Sequence, residues 1–120
     1  GWFDLVAARY SARVNGLTGI ALTKLDILNS FETIKVCTSY DFKGHQTQNM
    51  TEALNNLEDV SPIYKSFNGW QVDIDDITSF NQLPNEAQIY IKYLESEIGV
   101  PISIISIGPK RHQIIECNKK

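Results

Sequence analysis

The chain has 120 residues, of which 42% are hydrophobic and 21% charged, and its formal net charge is −3. This length suffices for one domain with its own core, and no apolar run approaches the roughly 18 residues of a membrane span. The small negative charge and scattered Lys and Arg give no basic field for a phosphate backbone. We therefore expect neither a membrane protein nor a nucleic-acid-binding protein.

The first three residues, Gly1 to Phe3, include two large aromatic side chains and no initiator methionine. These aromatic rings would be exposed at a terminus unless another segment covered them, so we expect a piece of a longer protein. In residues 4–15 the apolar positions recur at helical spacing. Asp4 is placed to cap this helix and Gly16 to end it.

Residues 20–22 form a short apolar run without alternation, which is typical of a strand buried on both faces of an α/β sheet. Turn residues and apolar patterns predict the remaining elements. In chain order the first are a short connection over 27–31, a strand over 33–40 with Ile34, Val36 and Thr38 on one face, a turn over 41–44 and a polar surface excursion over 46–59 with no assigned role. A strand over 62–67, closed by Asn68-Gly69, precedes a helix over 84–98 that has Ala87, Ile91, Leu94 and Ile98 as an apolar stripe and Gly99 as its stop. The last elements are a buried strand over 101–107, a strand over 113–117 and a frayed end over 118–120. We expect an α/β fold, with part of a mostly parallel sheet, flanking helices and a small antiparallel portion.

Several side chains that could carry chemistry favour structural roles instead. Cys37 and Cys117 do not form a C-x-x-C pair, and we expect reduced structural thiols, as in a cytoplasmic protein. His45 and His112 have no partner at catalytic or metal spacing and are interpreted as surface residues. The aspartates within residues 73–76 lack the other ligands of a calcium loop, so a solvated loop is favoured.

The segment Thr23 to Asp26 follows the first buried strand, where ligands bind in open α/β sheets. The Asp26 carboxylate could accept two parallel hydrogen bonds from guanine, one from the ring N–H and one from the 2-amino group. Adenine has neither donor on that edge. Lys24 could lay its aliphatic stem along the purine face while its ammonium group stays in water. The same residues could equally form a polar strand end that runs into a turn.

A second turn, Ser106 to Pro109, follows the other predicted buried strand. Gly108 has no Cβ, so its backbone could approach a planar ring closely and donate an N–H to the guanine carbonyl oxygen. The alternative is a plain turn between two strands. If both strands lie in one parallel sheet, Asp26 and Gly108 should face a common pocket.

With these residues in view, nearly the whole chain resembles the carboxyl-terminal part of the adenylosuccinate synthetase family. The motifs that carry the resemblance stand in order: Gly1-Trp2-Phe3-Asp4, Asn15-Gly16-Leu17-Thr18-Gly19, Thr23-Lys24-Leu25-Asp26, Tyr64 with Gly69-Trp70, Leu83-Pro84, Gly99-Val100-Pro101-Ile102 and Ser106-Ile107-Gly108-Pro109. Any one of these motifs is weak, whereas the ordered set is specific.

The resemblance implies a GTP-dependent ligase of purine biosynthesis with a P-loop-NTPase-like fold. The family joins L-aspartate to inosine monophosphate with GTP and Mg²⁺, and it usually forms a homodimer. Its Thr-Lys-x-Asp and Ser-x-Gly motifs contact the guanine base. The positions that match them imply a nucleotide-binding set of Lys24, Leu25, Asp26, Ser106, Ile107 and Gly108.

The chain also departs from the family pattern, since it has no phosphate-binding glycine loop and no match to the family's catalytic aspartate and histidine. The resemblance places these groups and the Mg²⁺ ligands upstream, so we expect residues 1–120 to supply base recognition as part of a larger synthetase domain and to be inactive alone. The alternative is an independent nucleotide- or protein-binding module of the same ancestry. A small GTPase-like switch is disfavoured because hydrolysis needs residues that bind phosphate and magnesium, and we find none in this sequence.

Overall fold

The structure is a computed structural model that describes residues 2–117. Its strands are β1 (Phe3–Asp4), β2 (Ile20–Leu22), β3 (Thr33–Phe42), β4 (His45–Thr47), β5 (Val60–Asn68), β6 (Ile102–Ser106) and β7 (Ile114–Glu116). Its helices are α1 (Leu5–Asn15), α2 (Met50–Asn55) and α3 (Asn85–Ile98), with short 3-10 helices at Leu25–Leu28 and Phe80–Gln82. Within residues 2–117, the helices are all too short or too polar to cross a membrane.

The first sheet is built around β3. Strand β5 pairs with it antiparallel along its whole length, while β1 (parallel) and β4 (antiparallel) share its other edge. The register shifts between Cys37 and Ser39. Because an extra residue in a strand reverses the faces that follow it, Ser39 is buried, whereas Thr38 is only partly buried instead of continuing the inner face as predicted.

The second sheet positions the candidate site. Strands β2 and β6 are parallel, with Leu22 opposite Ile105, and β7 pairs antiparallel with the other edge of β6. The inner residues of β6, Ile102 and Ile105, are fully buried. Ala21 in β2 and Ser103 and Ile104 in β6 are exposed, so the prediction that these two strands are buried is wrong for their outer faces.

The two longer helices follow their predicted signals. The Asp4 side chain caps α1 by accepting from the Ala7 N–H, and Gly16 ends the helix in the left-handed conformation. In α3 the predicted apolar stripe is buried throughout, and Gly99 ends the helix. The helices α1 and α3 contact each other, and both contribute to the core that lies between them and the strands.

The α/β class is confirmed, but the prediction of a mostly parallel sheet with a small antiparallel portion is wrong. Within residues 2–117 there are two small mixed sheets, and the longest pairing, β3 with β5, is antiparallel. The polar excursion over 46–59 contains the end of β4 and the helix α2, which Asn49 caps. The frayed end predicted for 118–120 lies outside the described residues.

Candidate functional site

Both predicted base-reading segments leave the second sheet at one edge. Strands β2 and β6 run parallel, so their carboxyl ends lie side by side and the chain continues from them into residues 23–26 and 106–108. The 3-10 helix Leu25–Leu28 also contacts β6. The structure therefore brings the two segments to a common edge.

The first segment combines a buried anchor with two accessible polar residues. Leu25 is only 1% exposed, while Lys24 is exposed and Asp26 is partly exposed. Lys24 has φ 58° and ψ 38°, the left-handed conformation that residues with a Cβ seldom adopt. The Asp26 carbonyl oxygen accepts from the Asn29 N–H at 3.1 Å, which ends the 3-10 helix. Within residues 2–117, no hydrogen bond or ion pair engages the side chain of Lys24 or Asp26, so both are available to a ligand.

A cavity of about 100 Å³ lies on the Lys24 side of this segment. It is lined by Trp2, Phe3, Leu22, Thr23, Lys24, Leu25, Ile27, Leu28 and Tyr90. Burial raises the pKa of the Tyr90 hydroxyl to about 12, so this tyrosine is neutral at physiological pH. The residues that line the cavity are therefore mostly apolar, with Thr23, Lys24 and the neutral Tyr90 as the more polar ones.

The second segment is fixed by its backbone. Ile107 is fully buried, and its N–H donates to the Gln113 carbonyl oxygen at 2.9 Å. The Ser106 hydroxyl donates to the Gly108 carbonyl oxygen at 3.3 Å. A Cβ on Gly108 would lie 2.4 Å from Cδ of Gln113, so a larger residue at position 108 would have to displace the Gln113 side chain. The Gln113 side chain therefore packs directly on the glycine of this turn.

The sequence analysis missed three residues that hold these segments. Trp70 is 5% exposed, and its Nε1–H donates to Oδ1 of Asn29 at 2.8 Å. Gln113 packs on Gly108 as described, and its Oε1 accepts from the Lys110 N–H at 3.0 Å. Trp70 and Asn29 are 41 positions apart, so no local spacing could have paired them.

The cysteines, the histidines and the aspartates of residues 73–76 were interpreted as structural or surface residues, and their positions in the structure agree with this. Cys37 is a buried free thiol, and burial raises its pKa, which keeps it protonated and unreactive. His45 and His112 are exposed, as predicted. The aspartates of residues 73–76 are exposed and lie outside any regular element, which confirms the solvated loop. Across the described part of the chain, no group of three or more His, Cys, Asp and Glu side chains is arranged to hold a metal ion.

Comparison with known proteins identifies the family. The family described as Adenylosuccinate synthetase matches residues 1–115. Two curated relatives carrying that name are 50% identical over 113 residues, from Trichlorobacter lovleyi, and 51% identical over 115 residues, from Geobacter sulfurreducens. The matches cover 94% and 96% of this chain but 26% and 27% of those proteins, so the chain spans about a quarter of their length.

A solved structure gives the same result in three dimensions. Fully ligated adenylosuccinate synthetase from Plasmodium falciparum superposes with a TM-score of 0.87 at 30% identity, over 98% of this chain and 29% of that one. The predicted resemblance is therefore confirmed, and the chain belongs to the adenylosuccinate synthetase family, the GTP-binding ligases of purine biosynthesis.

Proposed function

We propose that this chain supplies the guanine-recognition part of an adenylosuccinate synthetase, which ligates L-aspartate to inosine monophosphate with GTP. The observation that supports this is the parallel pairing of β2 with β6, which puts residues 23–26 and 106–108 at one sheet edge. A ligand between them can be read from two sides. The membership of the chain in a family of GTP-dependent ligases also supports a role in binding guanine.

In this proposal each residue has a stated role. The Asp26 carboxylate accepts from the ring N–H and the 2-amino group of guanine, and the Lys24 stem lies along the ring. The Gly108 N–H donates to the guanine carbonyl oxygen, beside Ser106. Leu25 and Ile107 contribute backbone only, since their side chains are almost completely buried in the core and hold the two segments in place. The proposed nucleotide-binding residues are therefore Lys24, Leu25, Asp26, Ser106, Ile107 and Gly108.

The rest of the reaction is assigned to parts of the enzyme outside this chain. The family uses Mg²⁺, which would neutralise the GTP phosphates, but the acidic side chains of residues 2–117 form no cluster that fits it. We propose that the metal, inosine monophosphate and aspartate sites lie elsewhere in a homodimeric synthetase. We expect the purified 120-residue chain to form no adenylosuccinate from GTP, inosine monophosphate and aspartate. Turnover by this chain alone would contradict that assignment.

The direct test is Asp26→Asn in a full-length synthetase that carries this segment. Aspartate only accepts hydrogen bonds, whereas the asparagine amide also donates. The guanine 2-amino group would then face a donor, at a cost of about 1–3 kcal/mol, which corresponds to roughly tenfold weaker use of GTP or more. Xanthine has a carbonyl at that position and can accept from the amide. We therefore expect kcat/KM to shift from GTP toward xanthosine triphosphate.

The measurement is steady-state kinetics with both triphosphates for the parent and the variant. The KM values for inosine monophosphate and aspartate should stay nearly unchanged. Asp59→Asn is a matched control, because Asp59 is an exposed aspartate outside the proposed site. If the ratio of the two specificity constants does not move in Asp26→Asn, Asp26 is a structural turn residue and the assignment fails.

A further inference from the structure

We propose that residues 70–76, here called the bridging loop, tie the two base-reading segments together, and that Asn29 and Gln113 are positioning residues for guanine. This inference rests on the proposed function. The bridging loop itself is firmly held, because Trp70 is 5% exposed and Ile74 is fully buried. Its exposed aspartates thus sit on a backbone that the core fixes at two points.

Asn29 connects the bridging loop to the first segment. Its Oδ1 accepts from the Trp70 Nε1–H at 2.8 Å, and its Nδ2 donates to Oδ1 of Asp73 at 3.2 Å. Its backbone N–H donates to the Asp26 carbonyl oxygen at 3.1 Å. One residue therefore links the end of the Asp26 turn to two positions of the loop.

Gln113 makes the corresponding connection to the second segment. Its Nε2 donates to the Asp75 carbonyl oxygen at 3.4 Å, while its Oε1 accepts from the Lys110 N–H at 3.0 Å. Its carbonyl oxygen accepts from the Ile107 N–H, and its side chain packs against Gly108. A continuous path of contacts thus runs from Asp26 through the bridging loop to Gly108.

The strands β2 and β6 have only three and five residues, so their pairing alone gives the two segments limited support. The path of contacts through the bridging loop adds to that support. A planar base read from both sides requires a fixed separation between Asp26 and Gly108. Contacts that hold this separation before binding reduce the ordering cost of the complex. Loss of the bridge should therefore raise the KM for GTP while the KM values for inosine monophosphate and aspartate, and kcat, change little.

The first variant is Gln113→Met in the full-length synthetase, which keeps the side-chain volume against Gly108 and removes both amide contacts. We expect the KM for GTP to rise about threefold to tenfold, the size of one or two lost hydrogen bonds. The control is His112→Ala, which changes the exposed neighbouring residue. The control should leave the KM for GTP unchanged.

The second test reverses the polarity of one contact. Asn29→Asp keeps an acceptor for Trp70 but places two carboxylates together, and we expect the KM for GTP to rise about threefold. The double variant Asn29→Asp with Asp73→Asn restores a donor and an acceptor, so its KM should return close to the parent value. General destabilisation by the substitutions would not produce this recovery, and Asp59→Asn, at an exposed aspartate outside the bridging loop, serves as the control.

The outcomes separate this inference from the proposed function. A raised KM for GTP in Gln113→Met, or recovery in the Asn29 and Asp73 pair if Gln113→Met does not fold, supports the bridge. If Asp26→Asn shifts the nucleotide preference but neither bridge test changes the KM for GTP, the bridging role is wrong and the guanine site stands. If Asp26→Asn shifts nothing, the base is bound elsewhere and the inference falls with the proposed function.

Discussion

The partly buried hydrogen bond between the Tyr40 hydroxyl and the Asp4 carboxylate fastens α1 to β3. Oδ2 of Asp4 accepts from Tyr40, and Oδ1 accepts from the Ala7 N–H at 3.1 Å as the cap of α1. Burial first, and then the Asp4 carboxylate, raise the pKa of Tyr40, so its hydroxyl remains a donor throughout the physiological range. We therefore expect Asp4 and Tyr40 to be energetically coupled.

The magnitude follows from the two contacts. Loss of a helix cap costs about 1 kcal/mol, and a hydrogen bond to a charged group contributes about 1.5–3 kcal/mol. Asp4→Ala removes both contacts and should lower the free energy of unfolding by about 2.5–4 kcal/mol. Tyr40→Phe removes only the second and should cost about 1.5–3 kcal/mol. In the double variant the shared bond is lost once, so the coupling energy equals that bond, about 1.5–3 kcal/mol.

The assay is urea unfolding of the parent, both single variants and the double variant. Tyr64→Phe on the neighbouring strand β5 is a matched control, since Tyr64 is 44% exposed, and the change should cost little. A coupling energy below about 0.5 kcal/mol would mean that the two residues act independently. That result would refute the idea that this bond fastens the helix to the sheet.

Two further predictions concern stability. A Cβ on Gly69 would lie 1.8 Å from the Phe31 carbonyl oxygen, so Gly69→Ala should cost more than about 3 kcal/mol in urea unfolding. Gly44→Ala, which meets only backbone strain at φ +91°, should cost about 1–2 kcal/mol, and equal costs would disprove the close approach. Because the pKa of Tyr90 is raised from 10.0 to about 12, the unfolded chain loses this proton first, and stability should fall from pH 10 to about 12. Tyr90→Phe should remove up to about 3 kcal/mol of that fall, and an unchanged alkaline unfolding profile would contradict the buried hydroxyl.

The sequence predicted the elements whose signals are local. The cap at Asp4, the stop at Gly16 and the stripe of α3 depend on neighbours within a few residues, and all three are present. The turn predicted over 41–44 is present as a two-residue hairpin between β3 and β4, with φ 50° at Lys43 and φ 91° at Gly44. At these positions the neighbouring residue types were sufficient to predict the local structure.

The errors arose where distant segments meet. The antiparallel pairing of β3 with β5 joins segments separated by β4 and α2, and no periodicity encodes such a pairing. Helix α2 was missed because it is short and polar and buries only Ala53. In the candidate site, the common edge of β2 and β6 was predicted correctly, whereas the contacts of Asn29 and Gln113 depend on tertiary packing alone.

Lys24 combines a left-handed backbone with a long side chain, unlike Gly16 and Gly99, which occupy the same region without a Cβ. Glycine at position 24 would relieve roughly 1–2 kcal/mol of conformational strain. It would also remove the stem proposed to lie along the purine. If Lys24 binds the purine as proposed, selection for thermal stability alone would favour glycine at this position while selection for nucleotide binding would keep the lysine, so stability and nucleotide affinity would oppose each other at a single residue.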